Sequence, residues 1–353
     1  MLATIAVYRD AEPRLTHDFA LCFRGRLWDE LESFGVRPHD LGKVRLRNPF
    51  SVYLARRRSA KLMREQAYDV VITHACWPHI VFGPEVRRTK TRLVNWVHDA
   101  LTGMHRIERT ASKTPPDLAI ANSRHTAATI CTVYPQVRCE VIHCMIDKPA
   151  LHCDETRESI RESVGTPAEA TVLLQVSRME SWKGHKVLLE ALGKIRSNQD
   201  WVLWIVGGAQ RPSEVAYEAE LKALVNKLNL ADRIKFLGQR PDVARLMSAA
   251  DLFCQTNESP EPFGVVFVEA LYAGLPVVSS NFGGAIEIVD NSCGVLVPPN
   301  DPASLAITLT SMITDKPLRQ RLSQAGPARA KLLCDPVNRL KQLADTLEST
   351  PGA

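Results

Sequence analysis

Short apolar runs alternate with helix-like stretches along the whole chain of 353 residues. Such runs, bounded by polar or turn residues, are typical of buried strands, and the stretches between them are typical of helices that cover a parallel sheet. In the first half the predicted strands are Ala3–Tyr8, Val36–Leu41, Asp69–Thr73, Leu93–Val97, Leu118–Ala121 and Glu140–Ile142. In the second half they are Val172–Val176, Trp201–Val206, Ile234–Leu237, Leu252–Cys254, Val277–Ser279 and Val295–Val297. The pattern predicts an α/β protein with helices on both faces of its sheets.

Twelve predicted strands are more than one open sheet comfortably holds, so we expect two doubly wound sheets in two Rossmann-like domains. The break falls near the segment Asp147-Lys-Pro-Ala150. The expected domains are residues 1–150 and residues 151–322, followed by a helical stretch over residues 323–353. Two domains also agree with the length of the chain.

Cysteine usage and hydropathy narrow the class of protein. The nine cysteines are scattered without a Cys-x-x-Cys pair, which argues against a disulfide framework and a zinc site and favours a reducing cytoplasm. There is no run of about 18 apolar residues, and no basic flank precedes the first apolar run. We therefore expect a cytoplasmic protein.

Positive charge is concentrated in one segment, although the net charge of +5 is mild. The segment Lys43–Arg64, called the basic segment below, contains eight basic residues, no acidic residue and several apolar ones. The simpler interpretation is a solvated helix face. The alternative is peripheral contact with anionic lipid headgroups at the inner membrane face. Nucleic-acid binding is not predicted, because no aromatic stacking pattern accompanies the charge.

The candidate chemistry centres on the stretch Glu261-Pro-Phe-Gly-Val-Val-Phe-Val-Glu269. Val265–Ala273 is predicted to be a helix with Gly274 as its C-cap, followed by a buried strand. The free N–H groups at the start of that helix form an anion site. One carboxylate lies before this site and the other lies about one turn inside the helix. A ligand with hydroxyls on both sides of a diphosphate, that is, a nucleotide sugar, suits this arrangement.

The motif Glu261–Glu269 resembles the Glu-x7-Glu motif of the retaining family-4 glycosyltransferases, which have the GT-B fold. The resemblance continues through Ser280–Val289, Cys293–Asp301 and, upstream, Val176–Lys186. It implies two Rossmann-like domains that face a cleft, with an acceptor-side first domain and a donor-binding second domain. It also implies that the helices of residues 323–353 return to the first domain.

The resemblance implies roles for four charged residues. Arg178 and Lys183 follow the strand Val172–Val176 and would hold the donor diphosphate and stabilise the leaving phosphate. Glu269 would accept hydrogen bonds from the ribose hydroxyls. Glu261 would lie near the donor sugar, without being assigned as a nucleophile.

Backbone contacts and a histidine complete the expected site. Phe263, Gly264 and Val265 would contact the sugar and phosphate through their backbone, and Gly238 would lie against the nucleobase. His98 follows the strand Leu93–Val97 and would lie near the donor sugar and the acceptor, oriented by Asp99; the alternative is a structural histidine. Ser123 also follows a strand, with a less clear role.

No Asp-x-Asp motif lies in a suitable place and the other histidines lack ligand spacing, so no metal is expected. No separate cofactor is expected either, because the nucleotide diphosphate sugar is the donor substrate. The segment Arg26–Leu41 resembles a helix and strand that come later in the family, and no glycine-rich loop precedes it. We therefore expect the chain to begin at the family's second strand, unless Ala3–Tyr8 serves as the first.

The sequence thus predicts a retaining, metal-independent glycosyltransferase of polysaccharide biosynthesis. It would transfer a hexose to a glycan, a lipid-linked sugar or a small molecule. The alternative from another class is a non-catalytic nucleotide-sugar-binding protein of the same fold. A nucleotide-sugar epimerase or a phosphorylase is less favoured, because the Glu-x7-Glu block and the Arg178/Lys183 pair weigh against both.

Overall fold

The computed structural model of the chain describes residues 1–89, 91–149, 155–196 and 200–349. The chain divides into two compact units, of which the first is Met1–Asp147 with Cys334–Ala353 and the second is Lys148–Leu333. The division after Asp147 lies close to the expected break near residue 150. The return to the first unit comes at Cys334, later than the residue 323 expected from the sequence.

The first unit contains a parallel sheet and a separate parallel pair of short strands. Its helices are α1 Leu2–Val7, α2 Arg26–Ser33, α3 Pro49–Gln66, α4 Cys76–Val86, α5 Arg106–Ala111 and α6 Arg124–Ala127. Its strands are β1 Ala20–Leu21, β2 His39–Asp40, β3 Val70–His74, β4 Arg92–Val97, β5 Leu118–Ala121 and β6 Cys139–Val141. The sheet has the order β3-β4-β5-β6, and β1 pairs with β2 alone. We call the four-stranded sheet the first sheet.

The start of the chain differs from the sequence-based expectation. Ala3–Tyr8 was predicted as a strand, but α1 covers Leu2–Val7 and its backbone follows a helical pattern, with Tyr8 N donating to Thr4 O at 3.0 Å. The prediction was wrong because a six-residue apolar run has too little periodicity to separate helix from strand. Ile5 and Ala6 are buried in the core of the first unit, and this packing suits one face of a helix. The two-residue strand β1 was missed for its brevity.

The second unit contains a six-stranded parallel sheet, called the second sheet. Its strands are β7 Thr171–Val176, β8 Trp201–Val206, β9 Ile234–Gly238, β10 Leu252–Gln255, β11 Val277–Ser280 and β12 Gly294–Val297. Its helices are α7 Arg157–Ser163, α8 His185–Lys194, α9 Pro212–Lys227, α10 Val243–Ala249, α11 Val265–Tyr272, α12 Ala285–Ile288, α13 Pro302–Thr314 and most of α14 Lys316–Cys334. The last helix, α15 Pro336–Glu348, belongs to the first unit.

The strand order of the second sheet determines where a ligand can bind. The order is β12-β11-β10-β7-β8-β9, which is the doubly wound arrangement in which the chain direction across the sheet reverses between β7 and β10. At such a switch point the loops after the two central strands leave to opposite faces and open a crevice at the carboxyl edge. The loops after β7 and β10 are therefore the place to look for a site.

Each unit has its own core. In the second unit, buried leucine, isoleucine and valine side chains of α8, α9 and α13 pack against the sheet, as expected from apolar stripes on those helices. In the first unit, Leu340 and Leu343 of α15 pack with Ile5, Val94 and Trp96. In the part of the chain that the structure describes, no helix combines the length and apolar character needed to cross a membrane.

Candidate active site

The loops that follow β7 and β10 carry charged side chains on both sides of the switch point. After β7 come Arg178 and Lys183, and after β10 comes Glu261. Lys183 Nζ lies 2.6 Å from Glu261 Oε2, and both side chains are largely buried, with 12% and 18% of their surface exposed. The structure thus brings together two residues that the sequence predicted separately, as a direct ion pair.

The Glu261 carboxylate is held by a chain of polar side chains. Asn257 Nδ2 donates to Glu261 Oε2 at 2.9 Å, and Gln255 Nε2 donates to Asn257 Oδ1 at 3.0 Å. Gln255 and Asn257 are buried at the end of β10. Since a buried carboxylate is costly without partners, Lys183 and Asn257 together hold the Glu261 side chain in this position, and Gln255 orients Asn257.

The backbone around Lys183 is held equally firmly. Gln175 Nε2, from the end of β7, donates to Lys183 O at 2.9 Å. The next residue, Gly184, has φ +74°, and a Cβ there would lie 1.7 Å from Thr256 O. A glycine is therefore required for the loop after β7 to approach the loop after β10 so closely. Lys183 Nζ also lies 3.8 Å from the centroid of the Trp182 ring.

Arg178 is the more accessible of the two predicted cations. Its side chain is 53% exposed and pairs with Glu180 at 3.0 Å. Because the guanidinium is half exposed, water screens this pair, and Arg178 can exchange Glu180 for a ligand. The structure places Arg178 and Lys183 on the same loop, with one cation exposed and the other buried.

The helix start at which the sequence predicted an anion site lies at Gly264 and Val265. Gly264, with φ +109°, is the N-cap of α11 at Val265–Tyr272, and Val265 is 43% exposed while Phe263 is buried. The loop after β11 supports it, because Gly284 N donates to Glu261 O at 2.7 Å. The free N–H groups of the first turn are available to an anion.

Glu269 lies in α11, one turn beyond its start, and is half-buried. Burial raises the pKa of its carboxyl above the usual range. Within the described ranges no side chain donates a hydrogen bond to it. A carboxylate that is desolvated without a donor is suited to accept hydrogen bonds from hydroxyls of a ligand, since such bonds would offset the cost of burial.

Gly238 ends β9 at the carboxyl edge of the second sheet and is exposed, with φ +65°. Its carbonyl accepts a hydrogen bond of 2.8 Å from Gly207 N, at the end of β8. Among the described residues other than Gly238 and its two chain neighbours, no atom lies within 4 Å of the position where a Cβ would be. The space beside this backbone is therefore open to a flat ligand group.

His98 lies in the first unit, directly after β4, and contacts a second histidine. His74 Nδ1 at the end of β3 lies 3.1 Å from His98 Nε2, so one ring nitrogen donates to the other. The two rings are nearly coplanar, at 6°, and both lie against Trp96. Burial lowers the pKa of His98 to about 4 and that of His74 to about 3, the latter also through the neighbouring His98. Both imidazoles are neutral at pH 7.

The other polar residues predicted at this edge have different surroundings. Asp99 is exposed, and no hydrogen bond joins it to His98 anywhere in the described residues. Instead, Asn122 Nδ2 donates to His98 O at 2.9 Å. Ser123 caps α6, with its Oγ accepting from Thr126 N at 2.9 Å. His74 and Asn122, not Asp99, therefore hold His98.

Sequence reasoning missed several residues that support the site. They are polar side chains at the ends of apolar strands, namely His74, Gln175, Gln255 and Asn257. The signal was present, because a polar residue at the end of a buried strand must find a partner. The partner could not be identified from sequence, because the His74–His98 contact joins two strands and the other contacts depend on how the loops after β7 and β10 fold back.

The basic segment divides into inward and outward side chains. Arg56 donates to Ile80 O at 3.0 Å and to Val81 O at 2.7 Å. Pro84, four residues after Ile80 in α4, has no N–H to give to that carbonyl, so Arg56 replaces the missing helical hydrogen bond. Arg58 Nη1 donates to Leu41 O at 3.2 Å. Phe50 and Tyr53 of α3 are exposed.

No cluster of three His, Cys, Asp or Glu side chains suited to a metal ion occurs within the described residues.

Comparison with known families gives two matches in succession. Residues 12–148 match the family model for Glycosyltransferase Family 4, and residues 156–329 match the model for Glycosyl transferases group 1. The chain belongs to the family-4 glycosyltransferases.

Relatives with curated functions match part of this chain. A D-inositol 3-phosphate glycosyltransferase of Corynebacterium diphtheriae is 33% identical over 180 residues, which are 49% of this chain and 41% of that protein. The human alpha-1,3/1,6-mannosyltransferase ALG2 is 28% identical over 293 residues, 79% of this chain and 65% of that protein. The chain matches about two fifths of the length of several such bacterial relatives.

Solved structures match the family-4 chain over almost its whole length. HepE of Anabaena, solved in complex with UDP-glucose, has a TM-score of 0.82 and 27% identity, covering 99% of this chain and 95% of that chain. WaaG, a glycosyltransferase involved in lipopolysaccharide biosynthesis, has a TM-score of 0.69 at 20% identity. With parallel sheets in both units, these likenesses confirm the predicted GT-B fold.

Proposed function

We propose that this chain is a retaining glycosyltransferase that moves a hexose from a nucleoside diphosphate sugar to an acceptor hydroxyl. The observation that carries the proposal is the buried Lys183–Glu261 pair at the switch point of the second sheet. A buried cation and carboxylate beside a helix N-terminus are suited to a ligand that combines phosphate with hydroxyl groups. Membership of the family supports the same activity.

The donor is proposed to be a UDP-sugar. HepE of Anabaena has been solved with UDP and with UDP-glucose, and it matches this chain from end to end. In the second unit, the open backbone at Gly238 suits the base and the half-buried Glu269 suits the ribose hydroxyls. Arg178, Lys183 and the N–H groups at Gly264 and Val265 would bind the diphosphate.

The proposed reaction proceeds on one face of the sugar. The bond between the anomeric carbon and the phosphate oxygen breaks, and its electron pair stays on that oxygen, which Arg178 and Lys183 stabilise. The acceptor oxygen bonds to the anomeric carbon from the same face and transfers its proton to the departing phosphate oxygen. Glu261 positions Lys183 and contacts the sugar hydroxyls. His98, neutral at pH 7, offers a hydrogen bond to substrate and no charge.

Two finer features belong to the proposal. The reaction is proposed to need no divalent metal, because Arg178 and Lys183 can neutralise the donor phosphates. The protein is proposed to work in the cytoplasm, with exposed Phe50, Tyr53 and neighbouring basic residues of the basic segment touching an anionic membrane surface.

The test measures donor hydrolysis and transfer across a panel of nucleotide sugars, with excess chelator and without it. We expect turnover of at least one UDP-sugar, unchanged by the chelator, with the anomeric configuration of the donor kept in the product. Loss of activity with the chelator and recovery with a divalent ion would contradict metal independence. An inverted product would contradict the retaining mechanism.

The same panel separates the enzyme from a non-catalytic binding protein. In that case UDP would bind in calorimetry while no donor was consumed, in water or with a mixture of glycan, lipid-linked and small-molecule acceptors. Failure of UDP to bind at all would overturn the site assignment itself. Lys183→Ala, which removes the buried cation, should weaken UDP binding and lower turnover.

A further inference from the structure

A cavity of about 620 Å³ lies in the first unit. It is lined by Phe23, Val44, Arg45, Leu46, Arg47, Asn48 and Trp77. Its volume is within the range of small-molecule sites. The lining combines two aromatic rings with two guanidinium groups, and none of these residues has a role in the donor site described above.

The aromatic side of the cavity is only partly covered. The rings of Phe23 and Trp77 lie 5.9 Å apart between centroids, tilted by 37°. Phe23 is 49% exposed although it is a large apolar side chain. Exposed aromatic faces of this kind bind apolar groups or the C–H face of a sugar ring.

The arginine side of the cavity carries positive charge that no carboxylate neutralises in the described part of the chain. Arg45 and Arg47 are exposed, and neither is paired with a carboxylate in the described part of the chain. Other arginines of the same unit are paired, for example Arg87 with Asp117 at 2.6 Å. Two guanidinium forks separated by one residue match a dianionic phosphate, whose oxygens accept bidentate hydrogen bonds.

The backbone that carries these cations is fixed. Arg45 N donates to Ser51 Oγ at 3.1 Å, and Ser51 Oγ donates to Arg45 O at 3.1 Å. Asn48 N also donates to Arg45 O at 2.8 Å, and Val44 is buried. The loop is thus anchored to the start of α3, and only the ends of the arginine side chains must be ordered when a ligand binds. Such preorganisation favours affinity.

The cavity has one wall at the edge of the first sheet where His98 lies. Trp77 is in the first turn of α4, which follows β3 and its last residue, His74. His74 in turn contacts His98 at 3.1 Å. Carboxyl edges of parallel sheets are where ligands bind in this class of fold.

We propose that this arginine–aromatic cavity binds the phosphate group of the acceptor, with Phe23 and Trp77 against the sugar or apolar group that carries it. This assignment rests on the proposed glycosyltransferase activity, and it names the acceptor class as a phosphorylated molecule. The phosphate can belong to a soluble sugar phosphate or to a lipid headgroup, since both present the same anion.

Calorimetry with glucose 6-phosphate, inorganic phosphate and glucose tests the cavity directly. We expect wild-type protein to bind the two phosphates at millimolar concentration and not glucose. Arg45→Gln/Arg47→Gln should lower the affinity for glucose 6-phosphate at least tenfold. The control Arg106→Gln/Arg109→Gln removes the same charge from exposed positions of α5 and should change the affinity less than twofold. Equal losses in both double variants, or no phosphate binding by wild type, would overturn the proposal.

Phe23→Ala tests the aromatic side. The substitution should lower the affinity for glucose 6-phosphate several-fold and leave the affinity for inorganic phosphate unchanged, because only the sugar contacts the Phe23 ring. Equal affinity of Phe23→Ala and wild type for glucose 6-phosphate would remove the aromatic wall from the proposal.

Vesicles distinguish the two sources of phosphate. Phosphatidylcholine vesicles with phosphatidic acid and without it are sedimented with wild type and with Arg45→Gln/Arg47→Gln. A loss of binding to phosphatidic acid, confined to this double variant, supports a lipid acceptor; unchanged vesicle binding with lost glucose 6-phosphate binding supports a soluble one. UDP affinity should be the same in all these variants. If wild type binds glucose 6-phosphate but not UDP, the donor assignment fails while the cavity stands.

Discussion

The carboxyl edges of the two sheets carry opposite kinds of chemistry. At the second sheet, Lys183 and Glu261 form a charged pair supported by Asn257. At the first sheet, His74 and His98 form a neutral pair stacked on Trp96. A charged pair suits a ligand whose charge changes during reaction, whereas a neutral pair suits hydrogen bonding without charge. In the proposed reaction, the charged edge would bind the donor phosphates and the neutral edge would donate or accept hydrogen bonds without charge.

Removal of the charge at Lys183 tests this contrast with the largest expected effect. Lys183→Met leaves Glu261 without its cation, so we expect UDP affinity to fall by roughly 1.5–3 kcal/mol and turnover by about a hundredfold or more. Thermal stability should also fall, because a buried carboxylate loses its partner. Calorimetry, donor hydrolysis and thermal melting measure the three effects.

Two further variants sharpen that result. Lys186→Met is a matched control, because Lys186 is exposed and pairs with exposed Glu220; it should behave like wild type. Lys183→Met/Glu261→Gln should regain stability without regaining turnover. If Lys183→Met keeps wild-type turnover, the Lys183–Glu261 pair has only a structural role. The functional contrast between the carboxyl edges of the two sheets would then be wrong.

The neutral histidines should make the first unit sensitive to acid. The pKa of His98 is lowered to about 4 and that of His74 to about 3, from an ordinary value of 6.5. Their contribution to stability is complete above pH 6.5 and is lost as the pH falls towards 4, because the unfolded chain binds protons there and the folded chain does not. Each imidazole contributes a slope of about 1.4 kcal/mol per pH unit.

Chemical denaturation of wild type and of His74→Gln/His98→Gln, between pH 7 and pH 4.5, measures this slope. The double variant should show a shallower loss of stability with falling pH. An identical slope in both proteins would mean that the two imidazoles are protonated in the folded state. The carboxyl edge of the first sheet would then carry charged histidines, just as the edge of the second sheet carries the charged Lys183–Glu261 pair.

Glu269 offers the smallest and most specific test. Its pKa is raised by burial, so its ionised form costs stability at neutral pH, and that cost grows as the pH rises through the folded pKa. Glu269→Gln should therefore raise the melting temperature slightly at pH 7.5 while weakening UDP by about 1 kcal/mol. Thermal melting measures the expected gain in stability, and calorimetry measures the expected loss of UDP affinity. A stabilised variant with unchanged UDP affinity would assign Glu269 to the fold alone.

Several internal strands and the start of α11 could be predicted from sequence, for physical reasons. β5 and β8 have the predicted bounds, because apolar runs buried on both faces have few alternatives. The helix α11 also begins at Val265, as predicted, and ends at Tyr272, one residue before the predicted end. Such features depend on residues that are near one another in the chain.

What could not be predicted depends on distant contacts. The run at Ala3–Tyr8 forms a helix because α15, more than three hundred residues later, completes its core. The contact between His74 and His98 requires β3 to lie beside β4. The inward role of Arg56 follows from Pro84, which the charge count of the basic segment could not show.

The position of α15 has a consequence for the order of folding during translation. Leu340 and Leu343 complete the core to which Ile5 and Trp96 belong. The first unit is synthesised first, but it cannot finish folding until α15 has been made. The second unit has all its core residues within Lys148–Leu333 and can fold earlier. During synthesis the apolar surface of the first unit would stay exposed until α15 has been made, so we expect the nascent chain to bind chaperones.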